Sequence, residues 1–181
     1  DIGKNLNDES EENVPEIKGL FEGEKSYDAL FISHNHADHM GLVDKIIKDI
    51  PVYIGEDAYA ILSASNEYRH KRINVRPKFI RDGIPVEVRD IIVTPFTCDH
   101  SAYDSYMFLI QTIDRSVLYT GDFRANGRKD FKSLLEKLPQ VDALIVEGTT
   151  LTREESIRNI DEQLLEDIAT RALSRRKGPC F

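Results

Sequence analysis

Four side chains of the types that bind metal ions lie close together in the segment SHNHADHMG, namely His34, His36, Asp38 and His39. The preceding residues 27–33 (YDALFIS) are mostly apolar and predict a buried strand. Residues 41–50 have apolar positions at helical spacing and predict a helix that ends before Pro51. A loop held between two rigid elements can direct several side chains to one point. Neutral imidazole and carboxylate groups are the ligands that zinc prefers when water must stay in its coordination sphere. The segment therefore predicts a metal site at a strand-to-helix junction.

Two further residues of this kind follow predicted strands. His100 in TCDHS comes after IIVTPF, and Asp122 in YTGDFR comes after SVLYT. Functional groups collect at the carboxyl ends of strands in open sheets. Taken alone, His100 would be interpreted as a hydrogen-bonded core or rim histidine, and Asp122 as a turn aspartate after Gly121. With the first cluster present, both are interpreted as metal ligands, because such sites draw ligands from several elements.

The remaining pattern mixes strands with helices. Strands are predicted at residues 52–54, 84–88, 90–96, 105–112, 116–120 and 142–147, with a hairpin turn at 113–116. Helices are predicted at 56–70 and 131–138. A longer helix is predicted from Thr152 to about Arg176, opened by a capping box in which Thr152 pairs with Glu155. Sheets covered by flanking helices indicate an α/β or α+β class built in layers.

The motifs SHNHADHMG, DHS and TGDFR resemble the second, third and fourth motifs of the metallo-β-lactamase superfamily. The resemblance covers residues 1 to about 151. It implies a four-layered αβ/βα sandwich that holds two divalent metal ions at one edge of its paired sheets. Carried over residue by residue, it implies one ion on His34, His36 and His100, a second ion on Asp38 and His39, and Asp122 as the bridge.

The same resemblance suggests residues that support the metal ligands. Asp1 in DIG resembles the family's first motif, which is usually a supporting aspartate; the alternative is a frayed terminus. Ser101, in the third motif, is predicted to support the ligands as well.

A subgroup resemblance is more specific. DHSAYDSY, YTGDFR and then VEGTT are similar to the β-CASP nucleases, which include bacterial ribonuclease J and the endonuclease of messenger-RNA 3′-end processing. The resemblance implies that Glu147 is catalytic and pairs with a histidine from an inserted domain; the alternative is an ordinary strand-end carboxylate. Residues 152–181 would begin that domain, so the sandwich is expected to be incomplete at both ends. The subgroup has two later histidines, whereas this sequence has none after His100.

These expectations lead to a predicted function. We expect a metal-dependent phosphodiesterase that cleaves RNA or single-stranded DNA with a hydroxide bridging two ions, and Asp38 as the catalytic residue that orients or deprotonates the water. Zinc is the first choice of ion, and manganese or iron would also suit imidazole and carboxylate ligands. One alternative is a thioester, lactone or amide hydrolase of the same fold. Another is a metal-binding module without turnover, which the missing histidines favour.

Charge and composition limit the partners. The net charge of −8 argues against a protein that coats nucleic acid by bulk electrostatics. Residues 69–81 (RHKRINVRPKFIR) nevertheless carry six Lys or Arg and no acid, and they form either a surface that steers an anionic substrate or a solvated loop. The sequence contains no run of 18 apolar residues, so it predicts no membrane-spanning helix. The two cysteines lie far apart and outside any CxxC pair, so a cytoplasmic protein without a disulfide framework is expected.

Overall fold

The computed structural model describes residues 1–5, 14–70, 73, 75–152, 154, 160–175 and 178. Its strands form two sheets. The first sheet is parallel, in the order β1 (Leu30–Phe31), β2 (Val52–Gly55) and β3 (Pro77–Ile80). The second sheet has five strands in sequence order, namely β4 (Val86–Val88), β5 (Ile91–Cys98), β6 (Ser105–Gln111), β7 (Ser116–Tyr119) and β8 (Ala143–Ile145). Strands β4 to β7 pair antiparallel in succession, and β8 pairs parallel to β7.

Four α-helices accompany these sheets in the described part of the chain: α1 (Ala37–Met40), α2 (Glu56–Tyr68), α3 (Phe131–Lys137) and α4 (Glu162–Ser174). Helix α2 packs on β2 and β3, and helix α3 packs on β5. Among the described helices, none is both long and apolar enough to cross a membrane.

The layers follow from side chains that alternate along each strand. On β2, Val52 and Ile54 pack in one apolar cluster with Ala58 of α2, whereas Tyr53 points to the other sheet. The same alternation on β6 sends Met107 and Leu109 toward α3, and Tyr106 and Phe108 toward the first sheet. Three apolar clusters therefore separate four layers, in the order helix, sheet, sheet, helix. This arrangement confirms the predicted layered α/β class.

The segment after the His-rich loop at residues 33–39 differs from its prediction. Residues 41–50 do not form one helix, because α1 lies earlier and is followed only by a 3₁₀ turn at Val43–Lys45. The backbone of Ile46 is extended and ends that turn. The apolar residues at helical spacing are buried all the same: Leu42, Val43, Ile46 and Ile50. These side chains are apolar because they are buried beneath the first sheet, and their spacing does not indicate a continuous helix. The predicted strand at 27–33 is likewise reduced to the two residues of β1.

Two other element predictions were wrong. The last helix begins at Glu162 and not at Thr152, which lies in a turn, while Glu155 lies outside the described residues. Asp161 caps the helix by accepting a hydrogen bond from the Leu164 amide at 2.7 Å. Strand β3 was not predicted, because it lies inside the basic run at 69–81. His70, in the same run, is exposed.

Candidate metal centre

The six predicted ligands lie at one edge of the paired sheets. His34 follows β1 after two residues, and His36 stands immediately before α1, which itself carries Asp38 and His39. His100 and Asp122 follow β5 and β7. Two sets of three residues each bring their ligand atoms within 4.8 Å of one another: His34, His36 and His100, and then His34, His39 and Asp122. His34 belongs to both sets because its ring lies at the centre of the cluster.

His34 provides the observation that best tests whether a metal ion fits. Its side chain is fully buried, and Nδ1 lies 3.0 Å from the Ser33 hydroxyl. Its Nε2 is buried and has no hydrogen-bond partner among the residues that the structure describes. Burial, followed by the neighbouring histidines, lowers the pKa of His34 to about 2, so the ring is neutral. A buried polar atom without a partner costs about 1–3 kcal/mol. A neutral imidazole with an unused nitrogen is the state that a bound metal requires, so these residues fit the ion.

Asp122 faces both parts of the cluster. Its Oδ1 lies 3.3 Å from Nε2 of His39, and its Oδ2 lies 3.8 Å from Nε2 of His100. The His100 Nε2 is in turn 3.2 Å from Nδ1 of His36. Burial is the main reason why the pKa of His100 is lowered, which favours its neutral form. The two oxygens of one carboxylate therefore face two different histidines of the cluster.

The orientation of His39 is set by Asp1. Nδ1 of His39 lies 2.8 Å from Oδ2 of Asp1, and the same oxygen accepts hydrogen bonds from the hydroxyls of Ser33 and Tyr119, each at 2.6 Å. The Ser33 amide donates to the other carboxylate oxygen at 2.6 Å. A proton on Nδ1, held by the carboxylate, leaves Nε2 of His39 free to bind an ion beside Asp122. Ser33 and Tyr119 were not predicted as site residues. They are the first residues of the segments SHNHADHMG and YTGDFR, but their hydroxyls carry no signal of their own in the sequence.

The remaining predicted residues lie around this cluster. Asp38 is at the rim, where its side chain is 40% exposed and its Oδ2 lies 3.8 Å from Nε2 of His39. Ser101 is exposed, and within the described parts of the chain no hydrogen bond connects its side chain to a ligand. Its supporting role stays a prediction.

Glu147 is held by the backbone around it. Its two carboxylate oxygens accept hydrogen bonds from the amides of Phe123 at 3.1 Å and Thr149 at 3.2 Å. Burial alone would raise the pKa of Glu147, but these donors outweigh burial and lower it. The carboxylate is therefore ionised and fixed beside the loop that carries Asp122. This position suits the ordinary structural role as well as the predicted catalytic one.

Gly121 explains how the loops approach so closely. Its φ of +52° lies in the left-handed region, and a Cβ there would stand 2.8 Å from Cβ of Ser33. Glycine satisfies both requirements at once. The backbone before Asp122 can therefore pass directly against the residue before His34.

Comparison with known proteins agrees with this geometry. Residues 15–175 match the family model described as the beta-lactamase superfamily domain. The chain belongs to this superfamily. A relative named ribonuclease J from Mycoplasma genitalium is 30% identical over 115 residues, which cover 61% of this chain and 20% of the relative. Ribonuclease J 2 from Staphylococcus saprophyticus is 24% identical over 91% of this chain and 31% of its own length. The chain thus spans less than a third of these curated relatives.

A solved structure shares the fold. A protein of unknown function from Enterococcus faecalis superposes with a TM-score of 0.72 at 25% identity, covering 89% of this chain and 45% of that protein. The resemblance to the superfamily expected from the motifs is confirmed. Membership and the named relatives together support a hydrolase.

Proposed function

We propose that this chain is the metal-dependent catalytic region of a nuclease that hydrolyses phosphodiester bonds in RNA. The observation that carries the proposal is the placement of Asp122, whose two oxygens face His39 on one side and His100 on the other. The relatives named ribonuclease J support RNA as the substrate class. Within one superfamily the fold alone does not select a substrate.

The proposed ligand sets are those implied by the motifs. One divalent ion would be held by His34, His36 and His100, and a second by Asp38 and His39, with Asp122 shared between them. When bound, such ions polarise a phosphoryl oxygen and lower the pKa of water, which supplies a nucleophile at neutral pH. Zinc suits a set of imidazoles and carboxylates, and manganese or iron suits it too. The positive ions would also offset the local acidity and allow a polyanion to approach an acidic protein.

Two carboxylates are proposed to act on the substrate side. Asp38 is exposed at the rim beside His39, where it can accept a proton from the attacking water. Glu147 is ionised and immobilised by the Phe123 and Thr149 amides. In a β-CASP-type enzyme it would pair with a histidine that belongs to a later part of the protein, a role that rests on the resemblance. The two residues would then stand on the open side of the metal centre.

A cleavage assay on the full-length protein tests the proposal. Labelled single-stranded RNA is expected to be cut, cutting should stop with a chelator, and added zinc or manganese should restore it. Asp122→Asn keeps the size of the side chain but has one neutral acceptor oxygen, so it should lower the rate by about 10²–10³-fold, which corresponds to several kcal/mol of lost metal assistance. His70→Asn is the matched control, because His70 is the one histidine outside the cluster, and it should cut at the wild-type rate.

Each other outcome has a definite meaning. Full activity of Asp122→Asn would show that the bridging assignment is wrong. Hydrolysis of a thioester or lactone without RNA cleavage would move the protein to a different substrate class. Metal binding without hydrolysis of any of these substrates would show that the protein is a metal-binding module without turnover.

A further inference from the structure

A buried carboxylate next to the metal centre has no part in the proposed ligand sets. Asp99 lies between the end of β5 and His100, and only 6% of it is exposed. A carboxylate is rarely buried to this extent unless it is paired and hydrogen-bonded. Asp99 is paired: one oxygen accepts a hydrogen bond from Nε of Arg124, and the other accepts one from the Lys129 amide at 2.8 Å.

The partners of Asp99 all come from the loop that follows Asp122. The Arg124 amide donates to the Asp99 carbonyl at 2.8 Å, and the Lys129 ammonium donates to the Cys98 carbonyl at 3.0 Å. Gly127 lies against the carboxylate, because a Cβ at that position would stand 2.1 Å from Oδ1 of Asp99. The loop therefore wraps around this one side chain.

The sheet itself cannot set the distance between His100 and Asp122. Their loops leave β5 and β7, which are not neighbours, because β6 lies between them. Two strand spacings amount to about 9.6 Å, and the loops must bend across the end of β6 to bring their ligands together. In the described part of the chain, the contacts between Asp99 and Arg124 join the two loops across the end of β6. Asp99 is the residue before His100, and Arg124 comes two residues after Asp122.

We propose that Asp99 and Arg124 form a positioning pair that fixes the separation of His100 and Asp122 and so determines how tightly the metal centre binds. The inference rests on the proposed metal-dependent function and adds to it two residues that touch neither metal nor substrate. The guanidinium of Arg124 also lies 2.8 Å from a carboxylate oxygen of Glu162 at the start of α4. Arg124 thus connects the proposed metal centre to the first residue of α4.

The test measures metal binding by the full-length protein with zinc and with cobalt(II), whose visible spectrum reports ligand geometry. Asp99→Asn removes the charge and turns one acceptor oxygen into a donor. Arg124→Lys keeps the charge but loses the planar fork that reaches Asp99 and Glu162 together. Each variant should weaken zinc affinity by about 10-fold or more, the range typical for residues that orient metal ligands, and should alter the cobalt spectrum. The double variant should be no more than about 2-fold weaker than either single variant, because coupled residues are not additive.

A matched control separates positioning from general stability. Asp82 accepts a hydrogen bond from the Thr97 amide at 2.7 Å near the end of the same strand. It is exposed, and in the described part of the chain no hydrogen bond or ion pair joins it to the Asp122 loop. Asp82→Asn should leave zinc affinity and the cobalt spectrum unchanged. If Asp99→Asn and Arg124→Lys lower only the melting temperature of the metal-free protein while affinity and spectrum stay as in the wild type, the pair is merely structural and the inference is overturned. Arg124 is partly exposed, so its variant remains informative even if Asp99→Asn does not fold. A wild-type protein that binds neither ion would overturn the metal centre itself, and the positioning role with it.

Discussion

At the scale of single residues, hydrogen bonds hold the proposed metal ligands in one orientation. Oδ2 of Asp1 receives three donors, from His39, Ser33 and Tyr119, within 2.8 Å. A carboxylate in this position keeps the proton on Nδ1 of the histidine and strengthens Nε2 as a ligand. Tyr119 is itself shielded, and burial is the first reason why its pKa is raised. Its hydroxyl therefore stays a donor at neutral pH.

We expect graded effects from these donors. Asp1→Asn removes the charge that polarises His39 and should weaken metal affinity by about 10–100-fold. Tyr119→Phe removes one hydrogen bond to the same oxygen, worth about 0.5–1.5 kcal/mol, and should weaken affinity by about 2–10-fold. Competition with a chromophoric chelator measures both. Tyr103→Phe removes a hydroxyl from an exposed ring and should have no effect. Equal affinities for all three variants and the wild type would contradict the role of Asp1.

The proposed ligands stand out in the sequence more clearly than the residues that orient them. His34, His36, Asp38 and His39 occupy one short motif. They are therefore close in sequence as well as in space, and their residue types already suggest metal binding. Tyr119 reaches Asp1 across 118 residues of sequence, and Arg124 reaches Asp99 across 25. Such contacts exist only after the sheets have formed. A tyrosine or an arginine at the end of a motif gives no indication of such long-range contacts.

At the scale of elements, the turn between β5 and β6 forms hydrogen bonds between the second sheet and a helix that packs on the first. Asp104, in the turn after His100, accepts hydrogen bonds from the Asp57 and Ala58 amides at 3.0 and 3.1 Å. These amides open α2, whose own N-cap residue is Gly55 and offers no side chain. A Cβ on Gly55 would stand 2.0 Å from the Asp104 carboxylate. A residue from the turn between β5 and β6 therefore caps the helix that packs on the first sheet.

Substitutions at Asp104 separate capping from backbone strain. Its φ of 64° lies in the left-handed region, which Asn and Gly adopt readily. Asp104→Asn keeps an acceptor oxygen and should change the free energy of unfolding only slightly. Asp104→Gly permits the same backbone conformation but removes the oxygen to which the Asp57 and Ala58 amides donate, so it should cost about 1 kcal/mol. Urea denaturation measures both. A glycine variant as stable as the asparagine variant would show that the cap contributes nothing.

The errors in predicting elements have physical causes. Strand β3 is an edge strand with Lys78 at an exposed position, and edge strands commonly bear lysine, which discourages pairing with other chains. The charged residues in and around β3 therefore hid the apolar pattern by which a strand is usually predicted. Residues 41–50 gave the opposite error, because burial under the sheet placed apolar side chains at helical spacing without a helix. Strands β5 and β6 lie close to their predicted bounds, because each is a short and largely apolar run, and β6 is buried on both of its faces.

At the scale of the whole molecule, the centre joins the two sheets. His34 follows a strand of the first sheet, whereas His100 and Asp122 follow strands of the second. The apolar layer between the sheets includes Phe31, whose ring lies 5.6 Å from that of Phe108 in an edge-to-face arrangement. A bound ion would add a cross-link at the open edge of this layer. It would also give a partner to the buried Nε2 of His34.

Metal removal should therefore lower the stability of the fold as well as its activity. A ligand that binds only the folded state adds about 2.7 kcal/mol when its free concentration is 100 times Kd. For a domain of this size, that corresponds to a rise in melting temperature of about 5–10 °C. We expect the full-length protein to lose this increment in a chelator and to regain it with zinc, as followed by calorimetry. His36→Ala removes a ligand and should abolish most of the response, whereas His70→Asn should keep all of it. If the melting temperature were the same with zinc and with chelator, the cluster would not bind metal in the folded protein, because tight binding to the folded state alone must raise its stability.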